Sequence, residues 1–181
     1  MASNLDHDTD ALIRRLRKKL ILPDSESVAA VGYGVAEIER LIPHRPPMRL
    51  VDGVSAIDLP GRRILGTRSL DASDPIFVGH FPGQPVYPGV LQVEAMGQLA
   101  LCLAYFITHK TVEIGADAQP AGVRALRIIH AQYFEPLLPG DHLTLHASIL
   151  DEDGMTATAA GQVVKEGRIA SIALQEVYFV E

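Results

Sequence analysis

The chain has a single cysteine, Cys102. That excludes an intrachain disulfide and any cysteine-based metal site. The thiol stands in an apolar run, where cysteine acts as a small core residue. Excess positive charge is also missing: 16 Lys and Arg stand against 22 Asp and Glu, a formal net charge of −6. With no basic stripe interleaved with aromatics, nothing electrostatic favours nucleic acid as a partner. The opening MASNLDHDTD lacks the apolar centre of a secretory leader, so a cytoplasmic location is expected. Internal repeats and low-complexity tracts are absent as well. What remains is 181 residues, 48% hydrophobic and 21% charged, the balance of one ordinary globular domain with a real core.

Residues 1–34 read as an extension ahead of a main domain over residues 35–181. Thr9 or Asp10 can cap a helix whose apolar positions are Leu12, Ile13, Leu16 and Leu20 and which ends at Pro23. Its other face carries Arg14, Arg15, Arg17, Lys18 and Lys19. A basic amphipathic helix can dock on an anionic membrane or an acidic partner, or stand solvated and partly frayed. Asp24 to Gly34, rich in Ser, Gly and Ala, reads as a linker. Residues 36–41 suggest one or two helical turns stopped by Pro43. Pro46 and Pro47 force an extended chain, Met48 to Ile57 reads as a strand, Pro60-Gly61 turns it, and Arg63 to Leu70 returns. His44 and Arg45 precede these prolines, either at the surface or near a site; spacing does not decide.

The run from Gly89 to about Thr108 is too long for a strand and is apolar almost all round, which predicts a helix buried on every side. Gln92, Glu94 and Gln98 interrupt it, and Glu94 and Gln98 share one face, a turn apart. An acid and two glutamines in its middle, with no basic flank, argue against a membrane span. Strands follow at Val123 to Phe134, about Leu143 to Ile149, Met155 to Lys165 and Arg168 to Val180, spaced for an antiparallel meander. The economical architecture is α+β: a curved antiparallel sheet wrapped around one long buried helix.

Ahead of that helix, His80 stands in a loop stiffened by Pro82, Pro85 and Pro88, and Glu94 follows within the greasy run. Histidine is the side chain suited to proton transfer near neutral pH. Burial favours a neutral carboxyl and the nearby helix N-terminus a charged one, so the state of Glu94 is left open. Pro88-Gly89 opens the helix, and glycine there lets a ligand approach the free N–H groups. Base, acid and oxyanion donor together suit removal of a proton beside a carbonyl and loss of a β-hydroxyl. Taken singly, a histidine such as His80 is more often a loop or core residue than a catalyst, and Glu94 also fits a structural acid that caps a backbone group or pairs with an arginine.

The stretch Gly79 to Gln98, GHFPGQPVYPGVLQVEAMGQ, resembles the signature of the 3-hydroxyacyl-acyl carrier protein dehydratases of fatty-acid synthesis, which have the hotdog fold. Ile42 to Val54, IPHRPPMRLVDGV, is similar to that family's opening strand motif, and Glu135 to Leu143, EPLLPGDHL, to its later Pro-Gly-Asp turn. The likeness spans roughly residues 36–180. It implies that His80 removes the α-proton, that Glu94 protonates the departing hydroxyl, and that the Gly89 N–H polarises the thioester carbonyl. Gly79, Phe81, Pro88, Val90 and Gln98 would surround the bound substrate. It implies a homodimer whose sites each take His80 from one subunit and Glu94 from the other, with trimers of dimers common in the family. The substrate would arrive on the phosphopantetheine of an acyl carrier protein, its acyl chain in an apolar tunnel whose depth depends on packing around Ala95, Met96 and Leu99. No metal or redox cofactor is implied. The branch that also isomerises carries aspartate at the helix position, so Glu94 points to dehydration alone.

Two departures stand out. Where the family places basic residues before the later proline, this chain has Phe134 and Glu135. Its N-terminal extension is longer than expected, and the basic face from Arg14 to Lys19 is a candidate source of the missing charge. Both keep a dedicated lipid or polyketide pathway beside primary fatty-acid synthesis. The same fold hosts acyl thioesterases and non-catalytic acyl-binding partner subunits. The combination of His80, Glu94 and Gly89 argues against each.

Overall fold

A computed structural model describes residues 4–22 and 28–180. Helix α1 runs Asn4–Leu16, strand β1 Ala29–Tyr33 and helix α2 Val35–Leu41. Strands β2 (Gly53–Asp58) and β3 (Arg63–Ser69) form a hairpin, followed by the short helix α3 (Ile76–Gly79) and the long helix α4 (Gly89–His109). Strands β4 (Gly122–Tyr133), β5 (His142–Glu152), β6 (Thr156–Lys165) and β7 (Arg168–Val180) complete the chain. All seven strands join one antiparallel sheet in the order β1-β2-β3-β5-β6-β7-β4.

These expectations change. Helix α1 starts at Asn4 and ends at Leu16, so Thr9 and Asp10 lie inside it instead of capping it, and Arg17, Lys18 and Lys19 follow its end. The stretch read as a linker contains β1, which pairs with β2 from Ala29 to Tyr33; residues 23–27, with Pro23, lie outside the described residues. The first main-domain strand begins at Gly53, because the preceding N–H groups are used elsewhere: those of Met48 and Arg49 donate to the Arg45 carbonyl, and Leu50 N–H donates to Gln98 Oε1 at 2.8 Å. Of the last four strands, β5, β6 and β7 form the expected meander, while β4 crosses to the far side and pairs with β7, its other edge unpaired among the described residues. Finally, α4 is not buried on every side. Val90, Glu94, Gly97, Leu101, Tyr105 and Thr108, at helical spacing, form a stripe that is only partly covered.

The rest of α4 is the core. Met96, Leu99, Leu103 and Phe106 are fully buried against the sheet, with Leu145, Ile64 and Ile38. Each such side chain contributes about 1.5–3 kcal/mol through burial. By length and apolarity α4 could cross a membrane, and here most of it lies inside the fold. Two glycines let it sit close: a Cβ at Gly66 would meet Leu99 at 2.7 Å, and one at Gly161 would meet Met96 at 2.5 Å.

The opposite face of the sheet is covered by the N-terminal segment. Leu16 and Ile21 pack against Ala160, Ile172 and Leu174 in a second small core. Ile21 and Leu22 are buried there, whereas Leu20, expected on the apolar face, is 39% exposed. The wholly buried Gln162 fastens this segment. Its Nε2 donates to the carbonyls of Leu16 (2.7 Å) and Lys19 (2.8 Å), and its Oε1 accepts from Ile21 N–H at 2.8 Å. Carbonyls left unpaired at the end of α1 are thereby satisfied. Leu22 N–H also donates to His146 Nδ1 at 3.4 Å. Burial pushes the His146 imidazole down to about 4, so it is neutral at ordinary pH.

Candidate active site

The His80 loop is held at several points. Asp74 Oδ1 accepts from Ile76 N–H at 2.9 Å and starts α3; His80 N–H closes it on the Ile76 carbonyl at 3.1 Å. Val86 N–H donates to the His80 carbonyl at 2.8 Å, and His80 Nδ1 lies 2.8 Å from the Val86 carbonyl. A carbonyl can only accept, so Nδ1 carries a proton, and in the neutral ring the lone pair is then on Nε2. The imidazole is thus oriented as a base. Phe81 stacks on it with ring centroids 4.1 Å apart, while Gly79 and Phe81 themselves are exposed. Tyr87 N–H donates to the Leu137 carbonyl at 2.8 Å and ties this loop to the Pro-Gly-Asp turn region.

Pro88 caps α4. Among the described residues, neither the Gly89 nor the Val90 N–H donates to a protein acceptor, as the first amides of a helix must. Glycine is required at position 89 by contact: a Cβ there would lie 2.7 Å from the Tyr133 ring. His80, Gly89, Gln92, Tyr133 and Phe134 line one open cleft of about 410 Å³. Burial raises the Tyr133 hydroxyl above its ordinary range, which keeps it a neutral donor. Val90, 70% exposed, points away beside it.

Glu94 is elsewhere. Gln98, 1% exposed, donates from Nε2 to Glu94 Oε1 at 2.8 Å and to the Met48 carbonyl at 2.7 Å. With Leu50 N–H on its Oε1, this amide is fixed and holds the carboxylate in place. The His44 Nε2 stands 3.3 Å from Glu94 Oε1. Among the described residues no hydrogen bond or ion pair joins Glu94 to His80, and Glu94 does not line the His80 cleft. Beyond Glu94 a groove follows the open stripe of α4. Gly97, Leu101, Ala104, Gln175 and Phe179 border its first part, and its wider end of about 340 Å³ reaches Tyr105 and Thr108. Ala95, Met96 and Leu99, expected to set the depth of a tunnel, are buried in the core instead, because α4 turns them toward the sheet.

The sequence thus left two neighbours unassigned. His44 was undecided, and Tyr133 drew no attention. Only the sheet's crossing of β4 to β7 brings Tyr133 over Gly89, and no local signal announces that. No cluster of three or more His, Cys, Asp or Glu suited to a metal ion occurs among the described residues.

A single curved antiparallel sheet holding one long helix in its hollow is the hotdog fold. The dehydratase heterocomplex ApeI:P from Xenorhabdus doucetiae shares it, with a TM-score of 0.61 at 16% identity, covering 80% of this chain and 91% of that one. Residues 42–173 match the FabA-like domain. The 3-hydroxyacyl-acyl carrier protein dehydratase FabZ of Anaeromyxobacter sp. (strain Fw109-5) is 36% identical over 80% of this chain and 88% of its own length. The FabZ of Granulibacter bethesdensis is 37% identical over 83% and 91%. The chain belongs to the FabA-like 3-hydroxyacyl-acyl carrier protein dehydratase family.

Proposed function

We propose that the protein is a hydro-lyase of fatty-acid or related lipid synthesis, converting 3-hydroxyacyl thioesters on an acyl carrier protein to trans-2-enoyl thioesters and water. The observation that carries the chemistry is the His80 imidazole, its Nδ1 given to the Val86 carbonyl and its Nε2 free, in one cleft with the unpaired Gly89 N–H. The thioester carbonyl accepts from that N–H, which stabilises the negative charge developing on oxygen. Nε2 takes the α-proton. The electron pair of the broken C–H bond forms the new C=C bond, and the C3–O bond breaks. Glu94 gives its proton to the departing hydroxyl, which leaves as water, and the proton now on His80 returns to the acid through solvent. These steps call on no metal or redox cofactor.

Within one chain His80 and Glu94 do not meet, so the carboxylate of each site comes from a second copy. The free edge of β4 supports a homodimer: it is unpaired and presents Leu126, Ile128 and Ile129 outward. An apolar open edge is a template for another strand. Gly79, Phe81, Pro88 and Val90 then border the entering thioester, Gln98 steadies the acid, and the groove along α4 takes the acyl chain. The protein works in the cytoplasm alongside its carrier. Incubation with 3-hydroxyacyl carrier protein, followed by mass spectrometry, should show loss of one water from the acyl group. A protein that leaves the substrate intact, or releases free thiol instead, is not this enzyme.

A further inference from the structure

Residues 14–19 read RRLRKK, five cations in six positions within a chain of net charge −6. Arg14, Arg15, Arg17, Lys18 and Lys19 are all exposed. Among the described residues none of the five has an ion-pair partner, although eleven such pairs occur elsewhere on the molecule. Holding five like charges together costs free energy unless something anionic meets them. Yet this segment is fixed: the wholly buried Gln162 grips it with three hydrogen bonds, and Leu16 and Ile21 are buried beneath it. It is fixed at a particular place. The Arg17 guanidinium lies 5.6 Å from the centre of the Phe134 ring, and Phe134 lines the His80 cleft. Arg168, also exposed, flanks the same rim beside Glu135.

We propose that Arg14 to Lys19 form the docking surface for the acyl carrier protein, with Arg17 at the rim where the phosphate of the phosphopantetheine arm emerges. This rests on the dehydratase reading above. A membrane is the other anionic partner of a basic helix, and the packing disfavours it. Apolar residues that this segment would sink into lipid, Leu16 at the end of α1 and Ile21 and Leu22 beyond it, are already buried within the fold. An acidic protein needs only the charged face, which is the face left free. The segment also stands beside Phe134 and Glu135, two residues of the cleft that bring no positive charge themselves.

The test replaces Arg14, Arg17 and Lys18 by Glu in the full-length protein. Turnover is measured on a 3-hydroxyacyl carrier protein and on the carrier-free N-acetylcysteamine thioester of the same acid. The ratio of kcat/KM on the two substrates should fall about tenfold or more, within the range by which electrostatic steering changes association. The wild-type ratio should drop with added salt and the variant's should not. Calorimetric binding of the carrier should weaken by a similar factor. An unchanged ratio and an unchanged affinity overturn the proposal. So does a variant whose lost property is binding to phosphatidylglycerol vesicles while its carrier affinity stays the same. A wild-type protein inactive on both substrates would bring down the dehydratase reading instead, and the carrier affinity would still decide the docking surface.

Discussion

The His44 imidazole stands 3.3 Å from Oε1 of the Glu94 carboxylate, the same oxygen to which the Gln98 amide donates at 2.8 Å. Two residues from different elements therefore converge on one oxygen. The other ring nitrogen of His44 is buried with no hydrogen-bond partner among the described residues, so the ring is placed by packing and by Glu94 alone. His44→Ala should lower kcat about tenfold, the worth of one hydrogen bond that holds the acid in place. His44→Gln, which can still donate, should recover part of it. Equal pH–rate profiles for wild type and both variants would show that His44 does not position the acid.

His80→Ala and Glu94→Gln should each cost about 10² to 10⁴ in rate. Co-expressing the two inactive chains should restore activity. In a random mixture about half the dimers are hybrids, each with one intact site, so about a quarter of the wild-type rate is expected. Absence of any regain, with hybrid dimers verified by differential tagging, would place both groups of a working site on one chain.

Gly89→Ala should fail for a steric reason, since its new methyl would lie 2.7 Å from the Tyr133 ring. Overpacking of this kind costs about 1–3 kcal/mol and would also move the amide proposed to receive the thioester oxygen. A combined Gly89→Ala, Tyr133→Leu chain should regain melting temperature but not full activity. If Gly89→Ala alone keeps both, the close contact has no consequence.

His146 gives the protein a pH dependence of definite sign. Burial lowers its imidazole from 6.5 in the unfolded chain to about 4 in the folded one. Between these values the unfolded state holds a proton that the folded state does not, so stability rises with pH. The contribution is complete above about 6.5 and is lost as pH falls toward 4, amounting to at most about 3 kcal/mol. Urea unfolding at pH 7 and pH 5 should show this loss, and His146→Gln should remove it. Because His146 accepts from Leu22 N–H, amides of residues 16–22 should be the first to exchange faster in acid. A stability curve flat from pH 7 to 5 would contradict the assignment.

Much of this was readable before the structure. The long helix over Gly89–His109, the hairpin from Arg63, and the three last strands follow from apolar period and turn residues, which are local. The His80 loop and the Pro88-Gly89 helix start were equally visible. What escaped depends on partners distant in sequence. Residues 29–33 look like a linker because their small side chains carry no strand pattern; β2 alone makes them a strand. The helix looked buried throughout, since composition cannot reveal which stripe the sheet leaves uncovered. Leu22 beneath His146, and Tyr133 over Gly89, are pairings across more than forty residues.

The two bare positions under α4 have a wider consequence. With Leu99 and Met96 seated where Gly66 and Gly161 have no side chain, the helix cannot rise or sink without clashing or opening a void. If the groove takes the acyl chain as proposed, room for a longer or bulkier one must therefore be gained sideways, along Leu101 and Phe179, which border the groove and are only partly buried. Substrate range and thermal stability are then written at separate positions, so one can drift over evolutionary time while the other stays put.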